Sequence, residues 1–192
     1  MSRIGSWRQS NPGAWKVMLL SCLFLPIAPI LSPETTIVDP DKYSWGGNIG
    51  WINWEADGAN GAALDGVIMH GFIYSANVGW INLGDGAPAG GGAYGNASAQ
   101  DFGVNVDAAT SPDFYLLSGY AWSANAGWIN FDVAAQTGEE NRPRISKTTG
   151  VFEGFAWGAN LGWLYLNSEP IAILRTRVEP PDAAARDWRQ YD

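Results

Sequence analysis

One short phrase occurs four times in this 192-residue chain, and it limits the possible folds more than any other feature. The first two copies read Tyr43-Ser-Trp-Gly-Gly-Asn48-Ile-Gly-Trp51-Ile-Asn-Trp54 and Phe72-Ile-Tyr-Ser-Ala-Asn77-Val-Gly-Trp80-Ile-Asn-Leu83. The other two are Tyr120-Ala-Trp-Ser-Ala-Asn125-Ala-Gly-Trp128-Ile-Asn-Phe131 and Phe155-Ala-Trp-Gly-Ala-Asn160-Leu-Gly-Trp163-Leu-Tyr-Leu166. Self-similarity at this length predicts one supersecondary unit used repeatedly. The anchoring tryptophans are separated by 29, 48 and 35 residues, so the unit is strict and its connections vary.

The third copy predicts what the unit is. Leu116 to Trp122 reads as a strand, Ser123 to Gly127 as a turn, and Trp128 to Phe131 as a returning strand. Glycine at the end of such a turn supplies the positive φ of a bulged hairpin, and Asn125 reads as a turn former. Upstream runs at Thr36–Asp39, Phe102–Asp107 and Arg144–Gly150 predict a third strand per copy. Gly119 and Gly154 are expected at bulges or close backbone approaches. The expected class is therefore all-β and loop-rich: tandem hairpins or three-stranded meanders, in a sandwich, a propeller-like ring or an open stack. Twenty-four glycines and eleven prolines agree with many turns. The glycine-rich stretch 83–100 reads as a flexible insertion.

Seven of the eleven tryptophans recur at the two positions flanking the turn. Strand alternation sets Trp122 opposite Trp128, where an aromatic pair adds up to about 1 kcal/mol. The expectation is that these indoles are buried between hairpins, so that Trp128→Ala costs about 3–5 kcal/mol. If instead they face solvent, the candidate ligand-binding set is Trp45, Trp51, Tyr74, Trp80, Trp122, Trp128, Trp157 and Trp163.

Residues 1–32 carry Arg3, Arg8 and Lys16 ahead of an apolar run at 17–31, and they read as a signal peptide or signal anchor. Leu19-Leu20-Ser21-Cys22 also resembles a lipobox, which leaves lipidation open. Without the leader, 8 basic groups face 19 acidic ones, a net of −11. Such a surface repels phosphate backbones, and nucleic-acid binding is set aside. The expected organisation is a leader (1–32), a β-repeat domain (33–167) and a C-terminal strand and tail (168–192). That tail includes a closing strand within Ile171–Val178 and a short helix at 183–190.

Chemistry is sparse. Cys22 is the sole cysteine and His70 the sole histidine, so a histidine-based triad has no support beyond His70. No copy places an acid at a common position, and no enzymatic activity is expected. Asp39-Pro-Asp41 and Asp57 to Gly61 offer oxygens for calcium, although turn formation explains them equally.

The phrase G-Y-A-W-S-x-N-x-G-W-I-x-F resembles a repeat of secreted and surface-attached bacterial proteins. It is also similar to the copper-repressible, surface-associated copper-binding proteins of methane-oxidising bacteria (the MopE and CorA type). That resemblance, over Tyr43–Leu166, implies a Trp-x-His copper(I) element. The matching positions here end in Asn53, Asn82, Asn130 and Tyr165, and amide or phenol is a poor ligand for soft copper(I). Only His70, with Met69 beside it, is left as a copper candidate. Three roles follow for a secreted, periplasmic or outer-surface protein: structure or adhesion, carbohydrate binding, or copper binding at a degenerate site. No cofactor is expected under the first two. The expected partners are extracellular components, glycans among them, with membrane contact only through the N-terminal segment.

Overall fold

The computed structural model describes residues 35–178. The leader, Cys22 and the short helix expected at 183–190 lie outside the described residues. Copy one forms β1 (Ile37–Gly46) and β2 (Gly50–Asn53); β3 (Ala63–Asp65) and β4 (Ile68–His70) follow. Copy two forms β5 (Phe72–Ser75) and β6 (Gly79–Asn82), and β7 (Val104–Asp107) leads into copy three's β8 (Phe114–Ser123) and β9 (Gly127–Asn130). A four-residue helix α1 (Ala134–Thr137), a 3-10 turn (Glu139–Asn141), β10 (Arg144–Ser146) and β11 (Phe152–Glu153) precede copy four. Copy four forms β12 (Phe155–Gly158) and β13 (Gly162–Tyr165), and β14 (Leu174–Thr176) pairs back onto β1.

The protein is all-β, and its centre is a closed antiparallel barrel of eight strands. Pairing runs β1-β2-β5-β6-β8-β9-β12-β13 and returns to β1 through Trp45↔Tyr165 and Gly46↔Leu164. Each copy of the phrase supplies one hairpin. The sandwich, propeller-like and open-stack arrangements are thus replaced by a ring of hydrogen-bonded strands. A second sheet, β3-β4-β7-β8-β10-β11, continues from the barrel through the first half of β8.

Local chemistry accounts for the hairpins. Each is closed by a three-residue loop, and Gly50, Gly79, Gly127 and Gly162 have φ of 71–83°, the left-handed geometry that ends a type I turn in a bulge. The asparagines do more than bend the chain. Asn77 Nδ2 donates to the Ile49 carbonyl (3.0 Å), Asn125 to Val78 (3.0 Å) and Asn160 to Ala126 (3.1 Å). Each thus bonds the turn of the preceding hairpin. Asn48 closes the circle in space: its amide nitrogen lies 2.9 Å from where a Cβ on Gly162 would stand.

Alternation then decides which side chains go inside. Inward positions hold Gly46, Ser75, Ser123 and Gly158 near the turns. A layer of Ser44, Ile52, Ile73, Ile81, Ala121, Ile129, Ala156 and Leu164 follows. Ile49, Ala126 and Leu161, from the turns themselves, are buried and plug one end. Trp54, Leu83, Phe131 and Leu166 are buried where the return strands leave the barrel, and Trp54 Nε1 donates to Ser44 Oγ at 2.8 Å.

The indoles flanking the turns occupy the other face. Trp45, Trp51, Trp80, Trp122, Trp128, Trp157 and Trp163 are 36–48% exposed, which overturns the expectation that they are packed between hairpins. The reason is volume. An eight-stranded barrel has an interior just wide enough for side chains. Small and branched residues fill it, and two aromatic rings per hairpin do not fit.

Candidate functional site

Sixteen outward positions ring the barrel, four per hairpin, and thirteen are aromatic: Tyr43, Trp45, Trp51; Phe72, Tyr74, Trp80; Tyr120, Trp122, Trp128; Phe155, Trp157, Trp163, Tyr165. The other three are Asn53, Asn82 and Asn130. Their side-chain oxygens accept the backbone N–H of Glu55, Gly84 and Asp132 at 2.7–2.9 Å, which ends each return strand in a turn. Twelve of the aromatics are exposed and Phe155 is half-buried. An aromatic residue offers roughly 150–250 Å², so twelve at about four-tenths exposure present on the order of 1,000 Å². Divided over four columns this is roughly 250 Å² each, so the aromatic surface is set apart by its regular repetition around the barrel and not by the size of any one patch.

The rings are ordered alike in every hairpin. The Trp after the turn glycine meets the first aromatic of the outgoing strand edge-on, with centroids 6.1–6.4 Å apart: Tyr43–Trp51, Phe72–Trp80, Tyr120–Trp128 and Phe155–Trp163. It also meets the second aromatic in Trp45–Trp51 (4.9 Å), Tyr74–Trp80 (5.0 Å) and Trp122–Trp128 (4.6 Å). The expected pairing of Trp122 with Trp128 is present, on the solvent side of the sheet.

Against each of the four columns lies a segment from elsewhere in the chain, and a cleft opens between them. Tyr43 and Trp51 face Ile171 and Ala172 across about 340 Å³. Phe72 and Trp80 face Asp57 and Asn60 across about 470 Å³. Tyr120 and Trp128 face Asn96, Ser98 and Phe102 across about 440 Å³. Phe155, Trp163 and Tyr165 face Thr137 and Asn141 across about 240 Å³. Three of the clefts therefore combine an aromatic wall with hydroxyl, amide or carboxylate groups.

The polar rims escaped sequence reasoning because loops with unrelated sequences bring them in. The 83–100 stretch, expected to be a flexible insertion, is pinned. Buried Tyr94 accepts the Gly86 N–H at its Oη (2.7 Å) and exchanges backbone–amide bonds with Asn105 at 2.8 and 2.9 Å. Asp101 accepts from Ala89 and Gly95. This network carries Asn96 and Ser98 to the third cleft and sets Phe102 5.0 Å from Trp128.

No Asp, Glu, Lys or Arg occurs in 43–54, 71–84, 114–131 or 154–168. The four hairpins are thus uncharged over the part that closes the barrel, and the nearest charges on a barrel strand are Asp39, Asp41 and Lys42 in the earlier part of β1. Two acids reach the aromatic columns from the flanking loops: Asp57 beside Phe72 and Trp80, and Glu169 beside Trp45, Trp51 and Tyr165; Asp57 is held by its own turn. The Asn60 amide (2.9 Å) and the Ala59 N–H (3.0 Å) hold its carboxyl below the usual carboxylate range, so it is ionised at neutral pH.

The metal candidates do not converge. Met69 and His70 are adjacent on β4 and both buried, so alternation sends their side chains to opposite faces. Burial holds the His70 imidazole below its ordinary pKa, with Asp65 and Asp85 pulling the other way. Of the calcium candidates, Asp57 is engaged by its own turn, Asp39 pairs with Lys42 (2.8 Å) and Asp41 with Arg175 (3.2 Å).

No helix among the described residues is long and apolar enough to cross a membrane. Six of the eight barrel strands have four residues and rise only about 13 Å, while β1 and β8 have ten; a spanning strand needs about 9–11. No protein-family model, no curated protein and no solved structure matches the chain.

Proposed function

We propose that this is a secreted or surface-associated β-repeat protein without enzymatic activity, which recognises neutral carbohydrate through the aromatic clefts of its barrel. The observation behind this reading is the outward ring of Trp, Tyr and Phe with polar side chains beside it. Sugar rings present apolar C–H faces that stack on indole, while their hydroxyls bond to amides, hydroxyls and carboxylates. Asn60, Asn96, Ser98, Thr137, Asn141 and Asp57 supply such groups. No Lys or Arg lines the clefts, so uronate or sulfate finds no counter-charge there and neutral glycans are favoured over acidic ones. Asp57 is the one carboxylate lining these four clefts, whereas glycoside hydrolysis ordinarily uses two facing carboxyl groups, which supports binding without catalysis.

A lipid interface is the competing occupant of an aromatic belt. The turn tips argue against it. Seated end-on in a bilayer, they would carry exposed backbone polar groups deeper than the indoles, where water is absent.

The test is affinity electrophoresis against soluble neutral polysaccharides (β-glucan, galactomannan, xyloglucan, dextran), with phosphatidylcholine vesicles in parallel. Retention by at least one polysaccharide is expected, insensitive to salt, and weakened by Trp128→Ala without loss of fold. Vesicle binding with no retained glycan would overturn the reading in favour of lipid.

A further inference from the structure

The clefts diverge. Eight strands close the barrel and each hairpin contributes two, so neighbouring columns stand about a quarter-turn apart and opposite ones are separated by the barrel's full width. All four share one geometry, a first-position aromatic set edge-on to the Trp after the turn glycine at 6.1–6.4 Å. Each also has its own wall from a different loop: Ile171–Ala172, Asp57–Asn60, Asn96–Phe102 or Thr137–Asn141. A stiff polymer lying along one column cannot reach the column behind the barrel.

We infer that the protein is a four-sited cross-linker of neutral polysaccharide, engaging separate polymer strands on different sides of the barrel. The inference rests on the carbohydrate reading and specifies its valence and consequence. Sites that converge on one face lend affinity to a single chain; sites facing outward in four directions join chains into a network. Adhesion is then a product of the barrel's geometry. The sites are equivalent in their aromatic platform and unequal in their rims. The Ile171–Ala172 wall offers no side-chain hydrogen bond, and the polar groups for this column come instead from Asn167, Ser168 and Glu169, which line a cleft of about 620 Å³ with Trp45, Trp51 and Tyr165.

The experiment uses the polysaccharide retained most strongly in the panel above and its four-sugar fragment. Titration calorimetry with the fragment is expected to give three or four sites per chain. Mixing with the polymer is expected to give turbidity that rises and then falls as protein goes into excess, as cross-linking requires. The variant Trp51→Ala/Trp80→Ala/Trp163→Ala keeps only the Tyr120–Trp128 cleft. It is expected to bind one fragment and to produce no turbidity. One or two fragment sites on the unaltered chain, or no turbidity with three or four, overturns the inference while leaving carbohydrate binding intact. Retention of no polysaccharide at all removes both. The site count on the unaltered chain decides the matter even if the triple variant loses its fold.

Discussion

Trp128 and Ile129 are neighbours with opposite surroundings. Ile129 is 1% exposed inside the barrel, whereas Trp128 is 42% exposed and touches Trp122, Tyr120 and Phe102. Removing the indole therefore loses three ring contacts and partial burial without emptying the interior, and Trp128→Ala is expected to cost about 1–3 kcal/mol. Ile129→Ala empties a closed interior and is expected to cost about 2–5 kcal/mol. Urea denaturation of the two variants checks the order, and a Trp128 loss as large as that of Ile129 would contradict the placement. The alternation that separates these residues was legible in the sequence. Which face points inward was not, because both faces carry apolar side chains. The clue lay in size: Gly46, Ser75, Ser123 and Gly158 alternate with the indoles, and only a cramped interior requires residues so small.

Among elements, the hairpins and most of their flanking strands were legible, because turn glycine and period-two alternation are local signals. Gly119 bears this out. Its φ is +88°, and a Cβ there would stand 2.3 Å from the Gly103 carbonyl oxygen, at the point where β8 passes from the second sheet into the barrel. Gly154 repeats the arrangement against Arg142, and Gly71 against Gly61. Gly119→Ala is expected to destabilise by roughly 2 kcal/mol or more. Gly47→Ala has its nearest neighbour at 3.8 Å and is expected to stay within about 0.5 kcal/mol of the parent. Denaturation midpoints compare the two. The asparagine circle was not legible from one hairpin, because each amide bonds to a carbonyl 28, 47 or 34 residues back. The polar rims were hidden for the same reason. Nothing in the sequence of 94–102 announces that Tyr94 and Asn105 will fold it against Trp128.

At the scale of the molecule, the change of stability between neutral and mildly acidic pH is assigned to His70, the sole histidine of the chain. Its folded pKa lies below the ordinary value near 6.5, so below that pH the unfolded chain binds more protons than the native one. Stability is expected to be full above about pH 6.5 and to fall as pH drops toward the folded pKa. His70→Gln is expected to flatten that part of the curve, as measured by denaturant midpoints between neutral and mildly acidic pH. An unchanged slope in the variant would assign the acid sensitivity to other groups. The overall class followed from composition and turn spacing. Closure did not, because it depends on β1 meeting β13, a pairing between the first and last copies that no local signal encodes. That meeting has a further consequence. With Trp45 opposite Tyr165, the strands of the ring shield one another's backbone, and an additional copy would have nowhere to pair without breaking the seam. Gene duplication can lengthen an open solenoid one unit at a time; here a change in copy number requires the seam to open and the ring to close again at another diameter, with the interior refilled to match.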